Sequence, residues 1–164
     1  FFWNLGSESI YTFYNANELL AKVYSGNNLT CIEPANGKRV VGTTDGYFEI
    51  DANTKKQTGS IQKKMPWTNL TSISQVDGTL WFGSTWGAMQ LRKDGKFNYY
   101  ASKRWIPSDT VIDIATGTEN SVLVLTNKGL GQIYFKEMTL YAKAMFYEEQ
   151  VRNRHIRHGF NATV

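Results

Sequence analysis

An all-β fold is what this sequence predicts, and three observations carry the prediction. The segment Val40-Val41-Gly42-Thr43-Thr44-Asp45-Gly46 is repeated 41 positions on as Trp81-Phe82-Gly83-Ser84-Thr85-Trp86-Gly87, with a weaker third copy at Val124-Leu125-Thr126-Asn127-Lys128-Gly129. Hairpin turn signals fall in step with the copies, at Asn36-Gly37, Asp77-Gly78 and Glu119-Asn120. Nine Tyr, nine Phe and five Trp suit strands, while 14 Gly suit the tight turns between them. Repeats of this length, built of short apolar runs split by glycine turns, are the signature of propeller blades. The expected architecture is a partial β-propeller of about three and a half four-stranded blades, followed by one C-terminal α-helix.

Each unit opens with an innermost strand: Leu29 to Ile32, Leu70 to Ile73, and Val111 to Ile114. Asn-Gly and Asp-Gly favour the positive-φ turns that match strand twist, so a second strand follows each turn. These second strands are Arg39 to Thr43, Leu80 to Ser84, and Val122 to Thr126. Gly46, Gly87 and Gly129 turn the chain into third strands at Tyr47 to Asp51, Ala88 to Arg92, and Leu130 to Phe135. Asn53-Thr54 and Asp94-Gly95 then lead to outer strands, Lys55 to Gln62 and Lys96 to Ala101. Upstream, Ser9 to Tyr14, a turn at Asn15-Ala16-Asn17, and Glu18 to Tyr24 read as the last two strands of a preceding blade. The expected boundaries are a half blade over 9–26 and blades over 29–65, 70–105 and 110–137, all within a propeller unit of residues 1–137.

The pattern becomes helical over 139–158, with Thr139 as N-cap, Gly159 as stop and a tail over 159–164. Leu140, Ala144, Tyr147, Val151 and His155 recur at spacings of three and four and form one stripe. Arg152, Arg154 and Arg157 load its last turns, where cations complement the helix dipole.

Propellers close with about four to eight blades, because each blade packs both faces on neighbours. Three and a half blades do not close a ring, so self-association or the remainder of a longer chain is expected to complete it. Phe1 in place of Met, with no basic-then-apolar leader, fits a processed product or a piece of something longer. The net charge of +4 comes from 18 Lys and Arg against 14 acids spread along the chain, without a nucleic-acid-binding motif. No stretch reaches the roughly 18–20 apolar residues of a membrane span. Cys31 is the single cysteine, which excludes an intrachain disulfide and a cysteine-based metal site; it occupies the place of Ser72 one repeat later.

No catalytic constellation emerges, and no cofactor or metal is expected. His155 and His158 are the only histidines and both lie beyond the blades, so a Ser-His-Asp set is not available there. Two kinds of candidate site remain. Asn28-Leu29-Thr30, Asn69-Leu70-Thr71 and Asn161-Ala162-Thr163 are N-glycosylation sequons, so Asn28, Asn69 and Asn161 are candidate attachment points. Trp67, Trp86 and Trp105 fall in connections that reach one face of a propeller, where exposed aromatics stack on sugar rings or seal blade junctions. Trp81, inside a strand, reads as core.

Asp77-Gly78-Thr79-Leu80-Trp81-Phe82-Gly83-Ser84 and Gly87-Ala88-Met89-Gln90-Leu91 resemble the two-component-regulator type of propeller repeat, over roughly residues 9 to 135. The first full blade has Arg39-Val40 where that pattern has Leu-Trp, and the third has Thr126-Asn127 where it has Gly-Thr. Arg154-His155-Ile156-Arg157-His158-Gly159 is similar to an Arg-His-x-Arg-Tyr-Gly segment that follows the propeller in some large extracellular proteins, with His158 in place of Tyr. The resemblance implies an extracellular or secreted location, further protein after Val164, and relatives that include oligosaccharide-binding sensor propellers. The expected function is a non-catalytic recognition or assembly segment of a secreted propeller glycoprotein that forms oligomers or filaments. The alternative is a glycan-sensing or carbohydrate-active propeller protein whose active domain lies elsewhere.

Overall fold

In the computed structural model, residues 3–13, 20–135 and 139–158 are described. The chain divides into two compact units, Phe1–Tyr134 and Phe135–Val164. The first unit is a partial propeller. Its first sheet holds β1 (Trp3–Leu5), β2 (Ser9–Phe13) and β3 (Leu20–Ser25); its second holds β4 (Leu29–Ala35), β5 (Lys38–Thr43), β6 (Gly46–Asp51) and β7 (Gln57–Gln62). The third holds β8 (Leu70–Val76), β9 (Thr79–Ser84), β10 (Gly87–Leu91) and β11 (Phe97–Tyr100). The fourth holds β12 (Val111–Thr116), β13 (Ser121–Thr126) and β14 (Gly129–Tyr134). Every pairing is antiparallel between consecutive strands. Among the described residues the count is 14 strands, which makes three and a half sets of four.

The turn chemistry explains the hairpins. Asn36 and Gly37 have φ of 49° and 76°, Asp77 and Gly78 have 47° and 74°, and Glu119 and Asn120 have 54° and 55°. Positive φ at both central residues matches the twist of the flanking strands. The next hairpin is locked by a buried hydroxyl. Thr43 Oγ1, Ser84 Oγ and Thr126 Oγ1 donate to the carbonyls of Gly46, Gly87 and Gly129 at 2.9, 2.8 and 2.7 Å. Each hydroxyl also accepts a backbone N–H, from Asp45, Trp86 and Lys128 respectively. These bonds place Thr126 in register with Ser84, so Leu125 stands where Gly42 and Gly83 stand. The alignment of Thr126-Asn127 with Gly-Thr is therefore corrected by one residue.

Strand alternation feeds two faces of each sheet into different junctions. Ile10, Leu29, Val41, Phe48 and Ile50 form the core between the first and second sheets. Ala35, Val40, Leu70, Ile73, Phe82 and Met89 form the core between the second and third. Phe82 faces the second sheet; its neighbour Trp81, as expected for core, is buried on the opposite face and stacks on Tyr100 at 5.2 Å. Burying side chains of this size stabilises by about 1.5–3 kcal/mol each.

Innermost strands also bond to one another. Thr71 Oγ1 donates to Val111 O (2.8 Å) and Ser74 Oγ donates to Ile114 O, while Gln75 Nε2 donates to Asn36 Oδ1 in the turn after β4 (3.0 Å). The sheets close up because β5 and β9 carry glycine opposite a small residue. A Cβ on Gly42 would lie 2.4 Å from Cys31 Sγ and 3.2 Å from Ile73 Cδ1 of the next sheet. A Cβ on Gly83 would lie 2.4 Å from Ser72 Oγ and 2.6 Å from Val111 Cγ1.

Two features differ from the sequence expectation. The first sheet has an additional strand, β1, which the repeat pattern did not mark, and the expected turn at Asn15-Ala16-Asn17 lies outside the described residues. The outer strands begin later, at Gln57 and Phe97, because Asp51 Oδ1 accepts the N–H groups of Asn53 and Thr54 and prolongs the first of these turns.

The second unit contains α1 (Leu140–His158). Thr139 caps it as expected: its Oγ1 accepts the N–H of Ala142 at 3.2 Å. Arg152 pairs with Glu148 one turn back at 3.0 Å. Among the described residues no helix is long and apolar enough to cross a membrane.

The glycine constraint is open to direct measurement. Gly83→Ala should destabilise the chain by about 1–3 kcal/mol in urea denaturation, since the added carbon meets two side chains in a filled space. Leu125→Ala, at the equivalent position with an open face, should change stability by under about 1 kcal/mol. Equal losses at the two sites would contradict this account.

Candidate functional site: an exposed aromatic junction

The connection from β7 to β8 is held at both ends. Lys63 pairs with Asp45, and Thr68 O accepts the N–H of Gly46 at 2.9 Å. Met65 points inward onto the core between the second and third sheets. Pro66 and Trp67 follow, and Trp67 turns outward. The hairpin between β9 and β10 raises Trp86, whose N–H is fixed on Ser84 Oγ.

These two indoles meet. Trp67 and Trp86 stack with centroids 5.3 Å apart and planes inclined by 22°. Tyr99 of β11 joins them: its ring lies 6.4 Å from Trp67, and its hydroxyl donates to Trp86 O. The three are 38%, 56% and 39% exposed, so the cluster is a surface platform that keeps ring area open to solvent. A rigid flat apolar area with hydrogen-bonding edges loses little conformational entropy on binding.

Trp105 is elsewhere. It packs edge-on against Tyr100 at 5.6 Å and lies under the Arg104 guanidinium at 4.9 Å. The next junction is sealed instead by its neighbours: Ile106 is buried, and Pro107 Cδ would lie 2.9 Å from a Cβ on Gly131. Counting back from Leu70 and Val111, Ile106-Pro107 stands where Met65-Pro66 stands. Trp67 and Trp105 are therefore not equivalent positions. Tyr99 was missed because either tyrosine of Tyr99-Tyr100 can face outward, and only the pairing of Met89 with Tyr99 fixes which does.

The sequon residues Asn28 and Asn69 are both exposed and directly precede the buried Leu29 and Leu70. They differ in backbone: Asn28 has φ of 60°, and its carbonyl accepts the N–H of Thr44 at 3.1 Å. Asn161 lies outside the described residues.

Two ionisable groups are perturbed near the innermost strands. Burial pushes the Cys31 thiol up to about 11, against hydrogen bonds from Thr30 and Gly42 that favour the thiolate. Burial also raises the carboxyl of Glu33, opposed by the Gln75 N–H and reinforced by Asp113. Ser72 Oγ, at the position matching Cys31, is buried without a hydrogen-bond partner among the described residues. Among those residues no three His, Cys, Asp or Glu side chains gather as metal ligands.

This geometry defines a class: a propeller segment with an aromatic platform at one blade junction. Solved structures of the same architecture exist. The chain matches the extracellular domain of BT4673, assigned to a hybrid two component system of B. thetaiotaomicron, with a TM-score of 0.63 at 14% identity, over 84% of this chain and 20% of that one. It matches the extracellular domain of BT3049 from the same organism with a TM-score of 0.61 at 17% identity, over 76% of this chain and 20% of that one. PorZ, a surface component of the type-IX secretion system of Porphyromonas gingivalis, matches with a TM-score of 0.57 at 14% identity, over 76% of this chain and 22% of that one. The chain thus spans about a fifth of the length of these proteins, and likeness at such identity establishes the fold alone. No protein-family model matches the sequence, and no curated protein matches it.

Cys31 should be alkylated slowly by iodoacetamide at pH 8 while the chain is folded, and fast once it is unfolded in urea. Its folded pKa lies above the unfolded value of 9.0, so the neutral thiol favours folding below pH 9, and that contribution fades as pH rises through about 11. Equal labelling rates in both states would refute the burial.

Proposed function

We propose that this chain is a non-catalytic recognition and assembly segment of a larger extracellular propeller protein, completed by strands and sheets from outside residues 1–164. The observation that carries the reading is the state of the two end sheets. Each has three strands among the described residues, and each turns apolar side chains to solvent: Phe13 and Leu20 on the first, Ile112, Leu125, Leu130 and Tyr134 on the fourth. In the interior junctions such faces are covered by a neighbouring sheet. Unpaired edges and apolar faces of this kind favour association with other chains. The extracellular placement rests on the similar structures, which are extracellular domains and a surface component.

Sedimentation velocity on residues 1–164 should show association that grows with concentration and weakens in Leu130→Asp. A single monomeric species in both proteins at all concentrations would exclude completion between copies.

The platform of Trp67, Trp86 and Tyr99 favours a second reading, glycan recognition. Exposed indoles stack on the apolar faces of sugar rings, and Lys63 and Asp45, paired beside the connection, supply polar edges. On a glycan array the chain should bind a subset of oligosaccharides, and Trp86→Ala should lower that signal at least tenfold. Retention of full signal by Trp86→Ala would rule out the platform as the site.

A further inference from the structure

The third strands of the second and third sheets are followed by five-residue turns, 52–56 and 92–96, and then by the outer strands β7 and β11. After β14 the chain also runs five residues, 135–139, but then enters α1 at Leu140, with Thr139 as its cap. The local sequence has thus committed to a helix at the spacing where an outer strand would start. The edge of β14 keeps the geometry of its counterparts. Gly129 has φ of 131°, close to the 116° of Gly46 and 132° of Gly87.

What faces these glycines differs. A Cβ on Gly46 would lie 2.2 Å from Gln62 O, and one on Gly87 would lie 2.6 Å from Tyr100 O, both backbone atoms of the outer strand. At Gly129 nothing described lies within 4 Å. Among the described residues no outer strand pairs with β14, and none of them occupies the place that fits one.

We propose that the outer edge of β14 is a strand-acceptor site, whose partner is an extended peptide carrying an aromatic residue followed by a side-chain amide. The partner chemistry follows from β11, which covers the same edge of β10. There Phe97 pairs with Leu91 and Asn98 pairs with Gln90, the Asn98 Nδ2 donating to Gln90 Oε1 at 2.9 Å. In β14 the matching positions are Ile133 and Gln132, so the same pairs form with an aromatic opposite Ile133 and an amide opposite Gln132. Gln132 uses its amide nitrogen on Ser121 Oγ at 2.8 Å, and its carbonyl oxygen corresponds to the acceptor of Gln90. Main-chain pairing would provide the affinity and these two positions the register. The proposal rests on the reading of the chain as a segment completed from outside, and it narrows that reading to one edge.

The test is backbone hydrogen exchange across Gly129–Tyr134 in residues 1–164, titrated with a synthetic peptide of the sequence of residues 95–101. Exchange in β14 should slow roughly tenfold or more at saturating peptide, and a peptide with Phe97 and Asn98 interchanged should give no protection. Unchanged exchange, equal protection by the interchanged peptide, or protection already complete without peptide would each overturn the proposal. These results are independent of whether the chain sediments as a monomer, so failure here leaves the broader reading separately measurable.

Discussion

The arrangement of the sheets depends on how closely one inner strand approaches the second strand of the sheet before it. At Gly42 and Gly83 the absence of a side chain lets Ile73 and Val111 enter, and the small Cys31 and Ser72 fill the remaining space from the paired strand. This contact sets the spacing of the junctions on which the core between the second and third sheets, and the hydrogen bonds from β8 to β12, are built. It also accounts for the raised pKa of the Cys31 thiol. Its sulfur serves as a small space-filling group pressed against backbone, and ionising it would leave a charge where water has little access.

Leu125 shows the same rule from the other side. Where no described sheet follows the fourth, the small residue is gone, and a leucine 42% exposed occupies the position. The opposite residue changes with it, from Cys31 and Ser72 to Asp113. The first sheet differs: Tyr11 and Phe13 hold the positions of Phe48 and Ile50, the residues that interior sheets turn toward the sheet before them.

Much of this was legible in the sequence because turns carry local chemistry. Asn36-Gly37 and Asp77-Gly78 declare positive φ, and even Glu119-Asn120 adopts it. Once the turns are placed, alternation assigns Trp81 and Phe82 to opposite faces. What was hidden depended on pairing across distance. β1 is three residues long and shows no pattern of its own; its register comes from Thr12 and Ile10. The third copy had lost its glycine, so only the Thr126 hydroxyl bond revealed the true alignment. In the aromatic junction, Trp67 and Trp86 were visible as candidates, but their stacking arises from two connections 19 residues apart. Trp105 precedes its apolar-Pro plug, Ile106-Pro107, whereas Trp67 follows Met65-Pro66, so the two are not counterparts.

The hydroxyl clasps at Thr43, Ser84 and Thr126 have an evolutionary implication. Each binds the glycine carbonyl on one side and the tip N–H on the other, so the loop is shaped by its root. The tip side chains, Thr44-Asp45, Thr85-Trp86 and Asn127-Lys128, take no part in that clasp. Mutation can therefore rewrite what the rim displays, acidic, aromatic or basic in turn, without touching the clasp that shapes the loop.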